Sequence, residues 1–389
     1  MTKFAVAQRL RGIEASPTLA LAAKAKALKQ AGKPIVDLTA GEPDFPTPAP
    51  IKHAAIQAIE RNQTKYTPVA GIPDLRAAIA AREAAHLGVP YTPTQVLVSC
   101  GAKHALYNAL QAVCDPGDEV LILKPFWVSY TALVQLADAV PVLVDTSEAD
   151  QYQPDPAAVR AAVTDRTKAI ILNSPSNPTG MLIDRDRLRA LAALALERGL
   201  IVISDEIYDQ LTFPPNQSCS IVQAEPAVAG QTIVVNGVSK TYSMTGWRIG
   251  YAAGPKNVID AMSNLQSHAT SNPASISQHA ALAALTGDQA AVTEMRTQFQ
   301  QRRDRFVGGL NRIPGVSCLM PQGAFYAWGN IGKLGQSAQA IAERWLEEIH
   351  VAVVPGEGFG SSTHVRFSFA AAPSELDEAL SRITRWVSR

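Results

Sequence analysis

The sequence predicts an α/β fold in which a mostly parallel seven-stranded sheet lies between helices, joined to a smaller α+β domain. Three observations carry this expectation. From residue 96 to residue 253, short β-branched runs alternate with helix-length segments, the pattern of strands linked by helical crossovers. A long charged segment, 289–310, then reads as one helix and separates that alternation from a mixed tail. Finally, 389 residues with 47% hydrophobic side chains are enough for two cores and too apolar for disorder.

Taken in order, residues 1 to about 45 read as an arm with a short helix at 19–31, closing in a loop marked by Gly41 and Pro43. A helix is expected at 51–61, and Pro73 opens another at a position proline tolerates. Strands are expected at 96–99, 119–123, 141–144, 169–172, 201–204, 232–235 and 249–253. Helices at 103–113, 156–163, 184–197 and 258–267 fall between several of them. The tail mixes strands at 323–328, 351–353 and 364–369 with helices at 339–349 and 374–388. The expected division is 1–45 (arm and part of the small domain), 46–288 (large domain) and 289–389 (linking helix and small domain).

Composition excludes several classes of function. A net charge of +1 without blocks of like charge argues against nucleic acid or an anionic membrane as partner. No apolar run has the length of a membrane span, and residues 1–8 lack a signal-peptide core. Cys100, Cys114, Cys219 and Cys318 are far apart with no CxxC, so neither a metal site nor a disulfide framework is expected, and the chain reads as reduced and cytoplasmic.

In open α/β sheets, ligands bind beyond the carboxyl ends of the strands. Five expected strand ends carry chemistry: Gly101-Ala102-Lys103, Pro125-Phe126-Trp127, Asn173 to Gly180, Asp205 to Tyr208, and Ser239-Lys240. Lys240 lies between two strands with Arg248 eight residues on. Desolvation and a neighbouring cation both disfavour an ammonium, which is how an amine becomes nucleophilic near neutral pH. Asp205 ends an apolar strand, where a carboxylate needs a partner such as a protonated ring nitrogen. Residues 99–103 join a strand to a helix N-terminus that can hold a phosphate, with Arg248 as a second contact. Trp127 offers a stacking face, and Arg366 is the one cation in an apolar strand run. Each residue also has a plain reading: strand-to-helix turn, turn-capping aspartate, core tryptophan, edge-strand charge. Convergence of all five ends on one crevice separates the two sets.

The segments Ser174-Pro175-Ser176-Asn177-Pro178-Thr179-Gly180, Ser204-Asp205-Glu206-Ile207-Tyr208 and Ser239-Lys240-Thr241-Tyr242-Ser243-Met244-Thr245-Gly246-Trp247-Arg248 resemble those of the class I aminotransferases. These are pyridoxal-phosphate enzymes of the aspartate aminotransferase fold, and the match is closest to the bacterial aspartate/prephenate branch. It covers essentially the whole chain in order, from Ala40-Gly41-Glu42-Pro43 to Arg366. The resemblance implies that Lys240 binds the aldehyde of pyridoxal 5'-phosphate and moves a proton at the substrate Cα. It also implies that Asp205 pairs with the ring nitrogen, Asn177 and Tyr208 bind the phenolic oxygen, and Trp127 stacks on the ring. Gly101, Ala102, Lys103, Ser239 and Arg248 would line the phosphate end, with Tyr66 reaching the phosphate of a partner subunit in a homodimer. Arg366 would clamp the substrate carboxylate, helped by Gly41, Trp127 and Asn177, while Lys103 matches the lysine that goes with acidic substrates. The small domain would draw on both chain ends, and cis peptide bonds are expected before Pro175 and Pro178.

Two departures stand out. Gly237 occupies a place where many relatives carry a phosphate-binding serine. Glu14 stands where prephenate-using relatives have a lysine, and a carboxylate there should repel a dicarboxylic substrate. The favoured expectation is ping-pong transfer from L-aspartate to 2-oxoglutarate. Transfer involving prephenate, aromatic or other amino acids, a lyase reaction on the same cofactor, and a non-catalytic binding protein are the alternatives.

Overall fold

The computed structural model describes residues 7, 10, 12–13 and 17–389, with residues 17–22 as backbone only. In chain order the helices are α1 (Pro17–Gln30), α2 (Ala49–Glu60), α3 (Pro73–Leu87), α4 (Ala102–Val113), α5 (Ser129–Leu136), α6 (Pro156–Ala162), α7 (Arg185–Arg198), α8 (Ile221–Ala224), α9 (Lys256–Ala269), α10 (Ser275–Thr286), α11 (Ala290–Leu310), α12 (Ala338–Ile349) and α13 (Pro373–Val387). The strands are β1 (Val36–Asp37), β2 (Val96–Ser99), β3 (Glu119–Lys124), β4 (Val140–Asp145), β5 (Thr167–Asn173), β6 (Ile201–Asp205), β7 (Thr232–Gly237), β8 (Gly250–Ala253), β9 (Ser317–Cys318), β10 (Tyr326–Asn330), β11 (Val351–Ala352), β12 (Val354–Pro355) and β13 (His364–Ser368).

Seven of these strands make the large sheet, in the order β2-β8-β7-β6-β5-β3-β4. Only β8 runs against its neighbours; the other pairings are parallel. Both faces are covered, as a parallel sheet requires. Val120, Ile122, Ala169, Ile171, Ile203, Ile233 and Val235 face one apolar cluster, with Ala105, Leu106 and Ala109 of α4. The alternate residues Leu121, Ile170, Leu172, Val202 and Val234 face a second cluster, with Leu188, Leu191 and Ala192 of α7.

A second, antiparallel sheet has the order β12-β13-β10-β9. Its core joins Ala25, Ile35, Val36 and Leu38 from the start of the chain to Phe306, Trp345 and Phe367 from its end. The parallel pair Val36↔Val351 and Asp37↔Ala352 ties the two ends together.

Most expected elements form within a residue or two of their bounds. Pro73 begins α3, and Gly88 ends it with φ 73°. Helices α5 and α10 were not foreseen. The first is rich in aromatic and β-branched residues, and the second is apolar on several faces. The expected strand 323–328 begins only at Tyr326, because Ala324 turns left-handed at φ 56° and donates its N–H to the Leu211 carbonyl. The run 351–353 splits into β11 and β12, which join different sheets.

The Ser174–Pro175 peptide is cis as expected, but Asn177–Pro178 is not, correcting that expectation. Gly180 N–H donates to the Ser176 carbonyl at 2.8 Å, so Pro178 lies inside one helical turn that suits its fixed φ and a trans bond. Cis bonds also precede Pro125 and Pro215.

One buried charge network ties α3 to the loop after β6, which carries the candidate site. The Arg82 guanidinium donates to Glu83, Asp209 and the Tyr251 hydroxyl, while Tyr251 donates to Glu83 at 2.7 Å. The Glu83 and Asp209 side chains are fully buried. Arg82→Met would leave both carboxylates without their cation, a loss of about 3–5 kcal/mol for a broken buried pair. The denaturation midpoint should fall accordingly, and an unchanged midpoint would refute this role.

Candidate active site

The parallel strands β2, β3, β5, β6 and β7 place their carboxyl ends at one edge of the large sheet, and β8 starts there. At this edge β2 gives way to α4 through Gly101, which has φ 86°. A Cβ on Gly101 would lie 2.5 Å from Arg248 Nη2, so the glycine lets the arginine lie across the turn. Arg248 itself is left-handed at φ 56° and donates to the Thr245 and Cys100 carbonyls at 3.0 and 3.3 Å. The first amides of α4, Ala102 and Lys103, have no intrahelical acceptor. Open amides, the positive helix end and a guanidinium free of any acid among the described residues form an anion cradle.

Lys240 lies beyond β7, and its amine donates to the Gly41 carbonyl. The side chain keeps some exposure, but the amine is enclosed by cavity walls. Burial pushes it down to about 8; Arg366 and Arg248 act in the same direction, while Glu42 and Asp205 oppose them. The amine is therefore appreciably neutral at pH values where an ordinary lysine is not.

Asp205 ends β6 and is 4% exposed. Its Oδ2 accepts from the Tyr130 hydroxyl at 2.7 Å, and its Oδ1 from the Ile207 N–H at 3.3 Å. Burial raises its pKa to about 6, against those two hydrogen bonds. It forms no ion pair with Lys240 or any other cation among the described residues. Tyr208 is buried, with its hydroxyl 3.0 Å from that of Tyr326.

Arg366 enters from β13 of the small sheet and is 2% exposed. Its Nη1 donates to Asn177 Oδ1 at 3.0 Å and its Nη2 to the Thr39 carbonyl at 2.9 Å. The guanidinium lies 4.4 Å from the Tyr326 ring centroid and 5.2 Å from that of Phe359. Its Nε has no partner, and no carboxylate pairs with it among the described residues. A buried arginine held only by neutral groups is set to receive an anion.

These groups face one cavity of about 310 Å³. Gly41, Ala102, Lys103, Trp127, Asn177, Asp205, Tyr208, Ser239, Lys240, Arg248 and Arg366 all line it, as expected. Gly101 lies directly behind the Arg248 guanidinium. Tyr66 is not brought to the cavity and is 93% exposed. Glu14 lies outside the described residues. Gly237 is explained by packing: a Cβ there would sit 2.9 Å from Gly250 Cα, its partner across the ladder.

Sequence reasoning named Asn173 and Ile207 within strand-end segments without giving them a role, and missed Leu106, Tyr130, Thr245 and Tyr326 in the wall. Tyr130 had a usable signal, since it lies three residues after Trp127 beyond the same strand end. Tyr326 had none, because only the placement of the small sheet brings it beside Tyr208.

The donor set suits a phosphorylated pyridine aldehyde. An anion cradle, a low-pKa amine, a buried carboxylate for a ring nitrogen and the Trp127 face all meet in this cavity, and Lys103 Nζ lies 4.8 Å over that tryptophan ring.

Comparison with known proteins agrees. The family model for aminotransferases of class I and II matches residues 33–383. The aspartate aminotransferase of Geobacillus stearothermophilus is 46% identical over 387 residues, 98% of each chain. The aspartate/prephenate aminotransferase of Cereibacter sphaeroides is 46% identical over 96% of each. The structure of the Thermus thermophilus aspartate aminotransferase with maleate superimposes with a TM-score of 0.95 at 42% identity, covering 98% of this chain and all of that one. With a matching family model over most of its length and full-length relatives well above 40% identity, this chain belongs to the class I and II aminotransferases and is an aminotransferase enzyme.

Proposed function

We propose that this aminotransferase uses pyridoxal 5'-phosphate, takes its amino group from L-aspartate, delivers it to 2-oxoglutarate and works as a homodimer. One observation carries the reading: Lys240, Asp205 and Arg366 line a single cavity without pairing with one another. Family membership supports the cofactor, and relatives named aspartate aminotransferase support the donor. The maleate of the Thermus thermophilus structure is itself a dicarboxylate, which agrees with an acidic substrate.

The cofactor supplies an electron sink for the bond broken at the substrate Cα. The chain supplies everything else. Ser239, Arg248 and the amides of Ala102 and Lys103 would hold the phosphate, while Asp205 would keep a ring nitrogen protonated and Trp127 would offer its face to the ring. Asn177 and Tyr208 would hydrogen-bond the ring oxygen. Arg366 would anchor the substrate α-carboxylate, and the Lys240 amine would take the proton from the substrate Cα. Lys103 also lines the cavity, over the Trp127 ring, and suits the second carboxylate of aspartate. Tyr66, outside its own cavity, suits a residue that completes the partner's site, and α2 exposes Ile56 and Ile59 as apolar contacts for such a partner.

Purified enzyme given L-aspartate and 2-oxoglutarate should form oxaloacetate. Turnover of other amino donors only would refute the donor assignment. Arg366→Lys should raise the KM for L-aspartate about 10- to 100-fold, the worth of charge-assisted hydrogen bonds to a carboxylate. In cofactor-free protein, pH-dependent acylation should titrate the Lys240 amine near 8. Because the Asp205 carboxylate raises that value, Asp205→Asn should move it lower. A midpoint near that of a free lysine would contradict the proposed role of the amine.

A further inference from the structure

We propose that Glu148 and Tyr152, acting through His364, are positioning residues for Arg366 and fix the carboxylate-binding wall of the cavity to the large sheet. The inference rests on the reading of Arg366 as the anchor of the substrate carboxylate.

Strand β13 alternates. His364, Arg366 and Ser368 share one face, while Val365 and Phe367 point into the apolar core beneath. The ladder partners of β13 are β10 and β12, both of the small sheet, so the ladder alone does not place Arg366 relative to Lys240. Side chains make that connection at two points. At one, Arg366 bonds Asn177 of the loop after β5. At the other, about 7 Å along the strand, His364 meets the segment that follows β4.

That second contact is built from both sides. His364 Nε2 lies 3.1 Å from the Tyr152 hydroxyl and 3.3 Å from Glu148 Oε2, which also accepts from Asn330 Nδ2 at 2.7 Å. His364 Nδ1 lies 2.9 and 3.0 Å from the Ser361 and Thr363 hydroxyls. The ring stacks on Trp328, 5.1 Å between centroids and 10° between planes. A neutral imidazole with its proton on Nε2 donates toward Glu148 with the Tyr152 hydroxyl beside it, and accepts from one of the two hydroxyls at Nδ1. Trp328 is the ladder partner of Arg366, and Asn330 that of His364, so Glu148 grips both strands at that end. On the other side, Gln151 and Tyr152 are consecutive non-glycine residues with φ 51° and 59°. Such a pair persists only where the surroundings over-determine it.

Loss of the grip would leave the fold intact and let β13 shift slightly against the cavity. Misplacement of a binding group by a fraction of an ångström falls mainly on substrate binding when the reacting groups lie on other elements. The test uses the holoenzyme with L-aspartate and 2-oxoglutarate. Glu148→Ala should raise the KM for both substrates about 10-fold with kcat within about 2-fold. Glu148→Gln, which keeps an acceptor for His364 and Asn330, should restore most of it. Tyr152→Phe, which removes one hydroxyl and serves if the alanine variant fails to fold, should raise KM about 3-fold. In an Arg366→Lys background, Glu148→Ala should raise KM no further, because the group it positions is gone.

An unchanged KM in Glu148→Ala and Tyr152→Phe, beside a raised KM in Arg366→Lys, would overturn the positioning role and leave Arg366 as the anchor. So would a Glu148→Ala effect that persists in full without Arg366. An unchanged KM in Arg366→Lys would instead overturn the anchor assignment, and this proposal with it.

Discussion

The structure depends on keeping three buried charges apart. In a low-dielectric cavity an ammonium, a carboxylate and a guanidinium would gain most by pairing with one another, and a paired set would be inert. The chain prevents this by giving each charge neutral partners of its own. Asp205 is held by the Tyr130 hydroxyl and the Ile207 amide, Arg366 by the Asn177 amide and the Thr39 carbonyl, and Lys240 by the Gly41 carbonyl. Those partners come from well-separated parts of the chain. The stored electrostatic energy is thus a property of the whole fold, and it is available to a ligand that brings complementary charge.

Two sheets are needed for this arrangement. The carboxyl edge of the large sheet supplies the amine, the carboxylate and the anion cradle, while the small sheet supplies Arg366 and Tyr326. The small sheet's core is made from both chain ends, so the loop Gly41 to Asp44 leads straight from that core to the Lys240 amine. Arg302 of α11 holds this loop through Asp44 at 2.7 Å and stacks on Phe45 at 4.8 Å. The segment around 148–152 makes a corresponding connection at the far end of β13.

The sequence made the large sheet legible because a parallel strand buried on both faces is a short, dense apolar run that few other structures produce. Val202-Ile203 and Ile233-Val234-Val235 are such runs, and the residues just after them are the catalytic candidates. Asp205, Lys240 and Arg366 were legible because a charge beside an apolar run demands a reason. Tyr326 was not, since a hydroxyl raises no such conflict until its partner is known. Helix α5, which carries Tyr130, was hidden by β-branched and aromatic residues whose propensity is overridden by the burial of Tyr130, Leu133 and Val134 in the core. The trans bond before Pro178 follows from the turn closed by Gly180, a hydrogen bond that local composition does not announce.

The central claim is that one amine and one carboxylate address the same bound aldehyde cofactor. The most direct measurement is to incubate the enzyme with pyridoxal 5'-phosphate, reduce with borohydride, digest, and locate the added mass by peptide mapping. The account predicts a single stoichiometric label on Lys240, lost in Lys240→Ala. A label confined to Lys103 or spread over surface lysines, with Lys240 unmodified, would contradict it.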